Sequence, residues 1–303
     1  MTSPVLVIGE AIVDVVEGHA TPGGSPANVA VGLARLDVPV ELATRIGTDV
    51  YGVLMAKHLA NNGVRLAPGT VDPAARTASA TATLDAAGVA SYEFDIDWRP
   101  AQPRLPDGAV AVHTGSIATV LLPGAAQVTD FVRSLAGAPV TVFLDPNARP
   151  TITPDAAQAW AAVTGLAGYA DLVKLSDEDC AFLRPGLSPE DVAAALLSDR
   201  TRCVVITLGG DGALGVTAAG TVRVPAPVVE VVDTVGAGDS FMSALIAGLH
   251  TRDLLGPVRL DGIQAHLSEV LATATRAAAI TCTRPGANPP TVAELAQGPS
   301  DTP

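Results

Sequence analysis

Short, continuous apolar runs recur along the chain at residues 5–8, 40–43, 110–113, 140–144, 172–175 and 204–208. Because these runs do not alternate with polar residues, they predict strands buried on both faces, as in a mostly parallel sheet. Between them apolar residues recur at helical spacing, which predicts helices over 27–36, 51–61, 121–135, 154–166, 189–199, 240–250 and 264–280. Strand and helix in alternation predict a three-layer α/β/α sandwich. Two stretches break the rhythm, 12–21 and 76–98. The second alternates Thr-Ala-Thr-Leu, turns at Ala86-Ala-Gly-Val89 and continues Ser-Tyr-Glu-Phe, the pattern of antiparallel strands. No internal repeat is present.

The period also changes between residues 228 and 250. Residues 228–232 are β-branched and apolar apart from Glu230, whereas 240–249 are apolar at helical spacing. A strand-like run therefore passes into a helix beginning near Gly238, through Gly236, Ala237 and Gly238. The first N–H groups of a helix lack internal partners and carry partial positive charge, and small residues let an anion approach them closely. Asp239 at this join reads either as a simple cap after a glycine-rich turn or as a general base for a hydroxyl attacking a bound phosphate.

The full nonamer Asp233-Thr-Val-Gly-Ala-Gly-Asp-Ser-Phe241 resembles the C-terminal signature of the ribokinase-like (PfkB) carbohydrate kinases. Other segments follow in that family's order: Gly23-Gly-Ser-Pro-Ala-Asn28, Arg45-Ile-Gly-Thr-Asp-Val-Tyr-Gly52, Asp145-Pro-Asn-Ala-Arg149, Thr207-Leu-Gly-Gly-Asp-Gly212 and Cys282-Thr-Arg-Pro-Gly-Ala-Asn288. The resemblance spans residues 5–290. It implies a single ribokinase-like domain over 1–303, with 12–21 and 76–98 forming a discontinuous β lid over a sugar. It further implies an ATP-dependent kinase in which Asp239 takes the proton of a primary hydroxyl. The amides of Gly236, Ala237, Gly238 and Asp239 would meet the transferring phosphoryl group, with Mg²⁺ on the ATP phosphates.

The same resemblance places Asp14, Gly23, Gly24 and Asn28 against sugar hydroxyls. Carboxylate and carboxamide groups suit a polyol, and glycines expose bare backbone to it. Without a sugar, Asp14 is a lid-strand surface acid and Asn28 a helix-start residue. Arg149 reads as a partner for a substrate carboxylate or as a loop arginine paired with an acid. Lys174, at the end of an apolar run, reads as a nucleotide contact or as a solvated lysine.

Ser176 and Asp179 stand where relatives carry an Asn and a Glu that organise phosphate and metal-bound water, with Glu178 as the alternative acid. They also read as an N-capped helix start. Thr207, Gly209 and Gly212 are expected near the phosphates unless they form a plain turn. Asp233 is expected beside a monovalent cation, K⁺, unless it only orders its loop. Ala279, Cys282 and Gly286 are expected to line an adenine slot. His113 is expected to touch substrate.

Eighteen Lys and Arg against 31 Asp and Glu give a formal charge of −13, which disfavours nucleic acid or an anionic membrane as partner. The only lysines are Lys57 and Lys174, so bound phosphate must lean on backbone amides, a few arginines and a metal ion. Cys180, Cys203 and Cys282 are too far apart in sequence for a zinc or redox motif. There is no P-loop, no dinucleotide-binding glycine motif, no basic leader and no run of membrane length, so a cytoplasmic setting is expected. The tail after Gln297 is polar.

In detail the motifs resemble the fructokinases, so fructose is the expected acceptor. A 2-keto-3-deoxygluconate kinase using Arg149 is the alternative, followed by a nucleoside kinase stacking its base on Tyr92, Phe94 or Trp98. A non-catalytic sugar-binding protein is the reading of another class, motivated by Ser176 and Asp179. The lid sheet offers an edge for a homodimer.

Overall fold

The computed structural model describes residues 3–84 and 90–297. The expected turn at 86–89 and the polar tail after Gln297 lie outside the described residues. The main sheet holds nine strands. Seven run parallel, in the order β11 (Cys203–Thr207), β10 (Leu172–Ser176), β9 (Thr141–Asp145), β8 (Ala111–Gly115), β1 (Val5–Ile8), β4 (Val40–Ala43) and β5 (Arg65–Leu66). An antiparallel hairpin of β12 (Ala213–Thr217) and β13 (Gly220–Val224) extends the β11 edge.

Burial on both sides explains the continuous apolar runs. Val5 and Val7 join Phe143, Leu172 and Val205 in one core, and Leu6 and Ile8 join Leu144, Val173 and Ile206 in the other. The first core is closed by α1 (Ser25–Arg35), α2 (Val50–Asn61), α7 (Ala237–His250) and α8 (Leu267–Cys282). The second is closed by α3 (Gly124–Ser134), α4 (Ala156–Ala167), α5 (Asp177–Leu183) and α6 (Pro189–Leu196). This is the expected three-layer arrangement. A short α9 (Val292–Gln297) follows.

The lid is a separate four-stranded sheet, ordered β3 (His19–Gly23), β2 (Ile12–Val16), β6 (Ser79–Leu84) and β7 (Ala90–Asp95). Its two hairpins are antiparallel, and a parallel pairing of β2 with β6 joins them.

One expectation is corrected here. Residues 228–232 form no strand; Val228 is fully exposed and Val231 and Val232 are exposed. Their β-branched composition does not make a strand because no partner strand lies alongside them: the chain leaves the sheet at the end of β13, Val224. The helix expected near Gly238 starts at Ala237, capped by Gly236. Among the described residues no helix is long and apolar enough to cross a membrane.

Candidate active site

The carboxyl ends of the parallel strands and the N-termini of α1 and α7 face one cavity of about 890 Å³. Open parallel sheets gather ligands at this edge. Asp239 lies in the first turn of α7 and is 8% exposed. Its Oδ1 accepts a hydrogen bond from Ser25 Oγ at 2.6 Å and its Oδ2 one from Asn28 Nδ2 at 2.8 Å. Ser25 and Asn28 are three residues apart in the first turn of α1, hence on one face. The two glycine-rich motifs, remote in sequence, thus meet at a single carboxylate.

Gly236 is left-handed, with φ +75°, and a Cβ there would come within 2.5 Å of Ala287 Cβ. Only glycine fits that turn. Ala237 N–H donates to Thr234 O at 3.2 Å, whereas Gly238 and Asp239 N–H find no acceptor among the described residues. The loop is tied from behind: Val232 N–H donates to Cys282 O, and Asp233 accepts from Val235 N–H at 3.0 Å and Gly286 N–H at 2.8 Å. These backbone donors hold the Asp233 carboxyl below its ordinary range. Asp233 therefore orders the loop, and Gly286 lies behind it, outside the cavity lining, in correction of its expected place in an adenine slot. Ala279 and Cys282 do line the cavity.

Lys174 is not the solvated strand-end lysine that its sequence allows. It is buried, its Nζ 2.9 Å from Asp145 Oδ2, and a Cβ on Gly238 would lie 3.3 Å from that Nζ. Burial opposes its charge, but Asp145, Asp179 and Asp239 together outweigh burial and raise its pKa. Asp145 is pushed up to about 6, first by burial and then by Asp179 and Asp239, with Lys174 opposing. His113 lies buried on β8 and does not line the cavity, so the expected substrate contact is corrected. Burial, with the Lys174 charge, drives its ring down to about 3.

Ser176 caps α5 in a reciprocal capping box with Asp179: Ser176 Oγ accepts from Asp179 N–H at 3.0 Å and Asp179 Oδ2 from Ser176 N–H at 2.8 Å. Asp179 Oδ1 also accepts from Ala148 N–H at 2.7 Å, which fastens the loop after β9. Both residues still line the cavity, as do Glu178, Thr207, Gly209 and Gly212.

At the lid end Asp14, Gly24 and Asn28 line the cavity, with Gly23 packed behind Asp14: a Cβ on Gly23 would come 2.5 Å from Asp14 Oδ2. Asp14 is exposed by surface area, yet the protein around it raises its carboxyl. Arg149 is exposed into the cavity and makes no ion pair among the described residues. Of the aromatic candidates Phe94 lines the cavity, Trp98 is buried with Nε1 donating to Ala118 O, and the Tyr92 side chain lies outside the described residues.

Sequence reasoning missed Ser25, Glu10, Ser116 and Asn147, all cavity residues. Glu10 is buried and accepts from Ala118 N–H at 3.1 Å; burial pushes it up to about 7, against Ser116 and Arg149. An acid inside the first apolar run was the available signal. Six carboxylates (Glu10, Asp14, Asp177, Glu178, Asp179 and Asp239) and two cationic side chains (Arg149 and Lys174) line the cavity. Among the described residues no three His, Cys, Asp or Glu side chains form a ready metal cluster.

Residues 5–294 match the family described as pfkB family carbohydrate kinase. A fructokinase of Rhizobium leguminosarum bv. trifolii is 31% identical over 267 residues, 83% of this chain and 81% of that protein. The fold is similar to a double mutant of fructokinase from Vibrio cholerae O395, solved with fructose, ADP and potassium, at TM-score 0.83 and 28% identity over 99% of each chain. It is also similar to aminoimidazole riboside kinase from Salmonella enterica, solved with aminoimidazole riboside and an ATP analogue, at TM-score 0.76 and 25% identity over 94% of this chain and 95% of that one.

Proposed function

The chain belongs to the pfkB family of carbohydrate kinases, and from that premise we propose that it transfers the γ-phosphoryl group of ATP to the primary hydroxyl of fructose. The observation that carries the reading is Asp239: a carboxylate set among free helix-start amides, where an anion would bind, with Ser25 and Asn28 orienting both its oxygens. A carboxylate in an anion-binding turn is unfavourable unless it accepts a proton there. Asp239 takes the proton of the attacking hydroxyl. Gly238 and Asp239 amides, with Lys174 beneath them, stabilise charge on the transferring phosphoryl oxygens. Asp14, Asn28 and the Gly23-Gly24 backbone hold the sugar, and lid closure excludes water.

With six acids to two cationic side chains around it, the cavity disfavours bare ATP. Mg²⁺ held by the nucleotide phosphates would offset their charge, with Glu178 and Asp179 near enough to receive its waters. Asp233 keeps lone pairs for a potassium ion behind the loop, and the potassium in the Vibrio relative supports including that ion. The unpaired Arg149 favours one second reading, a sugar acid such as 2-keto-3-deoxygluconate. The free edges β3 and β7 of the lid support pairing of two copies there.

The test is ADP release with Mg-ATP and potassium over fructose, ribose, 2-keto-3-deoxygluconate, aminoimidazole riboside and no acceptor. Fructose is expected to give the highest kcat/KM, with negligible release without acceptor. Asp239→Asn is expected to lower kcat about 10²–10⁴-fold with nucleotide binding little changed. A flat panel, or full turnover by Asp239→Asn, would overturn the reading.

A further inference from the structure

We propose that Ser25 is a positioning residue for phosphoryl transfer, its hydroxyl fixing the orientation and the basicity of Asp239. The inference rests on the reading of Asp239 as the base. Serine before a helix ordinarily caps it, yet Ser25 does not: the cap of α1 is Gly24, and no side-chain capping bond is present. The hydroxyl of Ser25 instead crosses to another helix, and Asp239 is its acceptor at 2.6 Å, within the range of a charge-assisted O–H···O⁻ bond. Ser25 is buried, so water does not readily replace this donor.

The two donors on Asp239 are not equivalent. Asn28 carries a carboxamide that also faces the proposed sugar site, and a bound hydroxyl competes for it. Ser25, a smaller and buried residue at the cavity wall, gives its one hydroxyl proton to Oδ1. With Oδ1 fixed, Oδ2 remains the oxygen that meets substrate. Asp239 lies close enough to Lys174 on β10 and Asp145 on β9 to act on both charges. Ser25 adds a neutral donor to the carboxylate, and its removal leaves the ionised form with one hydrogen bond fewer.

The experiment is the pH profile of kcat/KM for sugar phosphorylation in wild type, Ser25→Ala and Ser25→Thr, with unfolding temperatures measured in parallel. For Ser25→Ala the acidic limb is expected to move up by about one pH unit, the scale of one lost charge-assisted hydrogen bond, and kcat at the plateau to fall about tenfold. Ser25→Thr, which keeps the hydroxyl, is expected to restore the limb. Adding Ser25→Ala to Asp239→Asn is expected to cost little further. If Ser25→Ala fails to fold, Ser25→Cys, of similar size but a weaker donor, is expected to shift the limb the same way.

An unmoved limb in the folded variants, with Asp239→Asn still impaired, would overturn the role of Ser25 and leave the base intact. Full activity in Asp239→Asn would overturn the base reading itself.

Discussion

Replacing Gly32 with alanine tests whether the α1/α7 seam sets the geometry of Asp239, the proposed base. Gly32 lies one turn beyond Asn28 on α1, and Ser243 one turn beyond Asp239 on α7. A Cβ on Gly32 would lie 2.6 Å from Ser243 Cβ and closer still to Ser243 Oγ, which is buried and donates to Ser240 O at 2.9 Å. Carbon atoms in contact need about 3.5 Å, so the helices must separate by about 1 Å. That would stretch the Asn28–Asp239 bond from 2.8 Å and the Ser25–Asp239 bond from 2.6 Å past useful hydrogen-bonding range. Misplacement on this scale costs about 10²-fold in rate. Overpacking costs about 1–3 kcal/mol, against which the better helix former returns up to about 1 kcal/mol.

Gly32→Ala should therefore lose activity far more than stability. Steady-state kcat/KM and thermal unfolding by circular dichroism read the two separately. Adding Ser243→Gly, which empties the space the new methyl needs, should return most of the rate. A Gly32→Ala enzyme within twofold of wild-type kcat/KM at unchanged unfolding temperature would refute the argument.

Two further outcomes are expected. Lys174→Met strands Asp145 in the interior and should cost about 3–5 kcal/mol; Lys174→Met with Asp145→Leu should recover much of that stability in denaturant unfolding but not the phosphoryl transfer, and recovery of both would show Lys174 to be structural only. Glu10, raised from 4.5 to about 7 when folded, binds its proton more tightly in the native state, so its contribution to stability is greatest below pH 4.5, declines as pH rises to about 7 and is flat above. The decline amounts to about 3 kcal/mol, and Glu10→Gln should remove it, gaining on wild type as pH rises from 4.5 to about 7 in urea unfolding; parallel profiles for the two proteins would contradict it.

The parallel core was legible because strands such as Val5–Ile8 and Cys203–Thr207 are buried on both faces and so read as unbroken apolar runs. Several of the motif residues, among them Asp14, Asn28, Lys174, Thr207, Asp239 and Cys282, line one cavity. What was not legible depends on partners distant in sequence. Lys174 reads as solvated until Asp145, 29 residues away, is placed against it. Ser25 carries no separate signal in the sequence until α7 brings Asp239, 214 residues on, against its hydroxyl. Residues 228–232 carry strand chemistry, but strand propensity acts only where a partner strand lies alongside, and the chain has left the sheet at Val224. His113 stands at a strand end in sequence, yet neighbouring strands bury it. The seven-residue α5 follows β10 without a break and is too short to show a helical period.

The contact between α1 and α7 also places the enzyme's activity late in its own synthesis. Ser25 and Asp239 are 214 positions apart and Asn28 and Asp239 are 211 apart. At ordinary elongation rates of about 5–20 residues per second, about 10–40 s pass between synthesis of the serine and of its acceptor. The loop behind the base closes only when Gly286 follows. A growing chain therefore carries Asp14, Ser25 and Asn28 well before Asp239 joins them, and the turn that presents Asp239 is tied down only after Gly286 has been made.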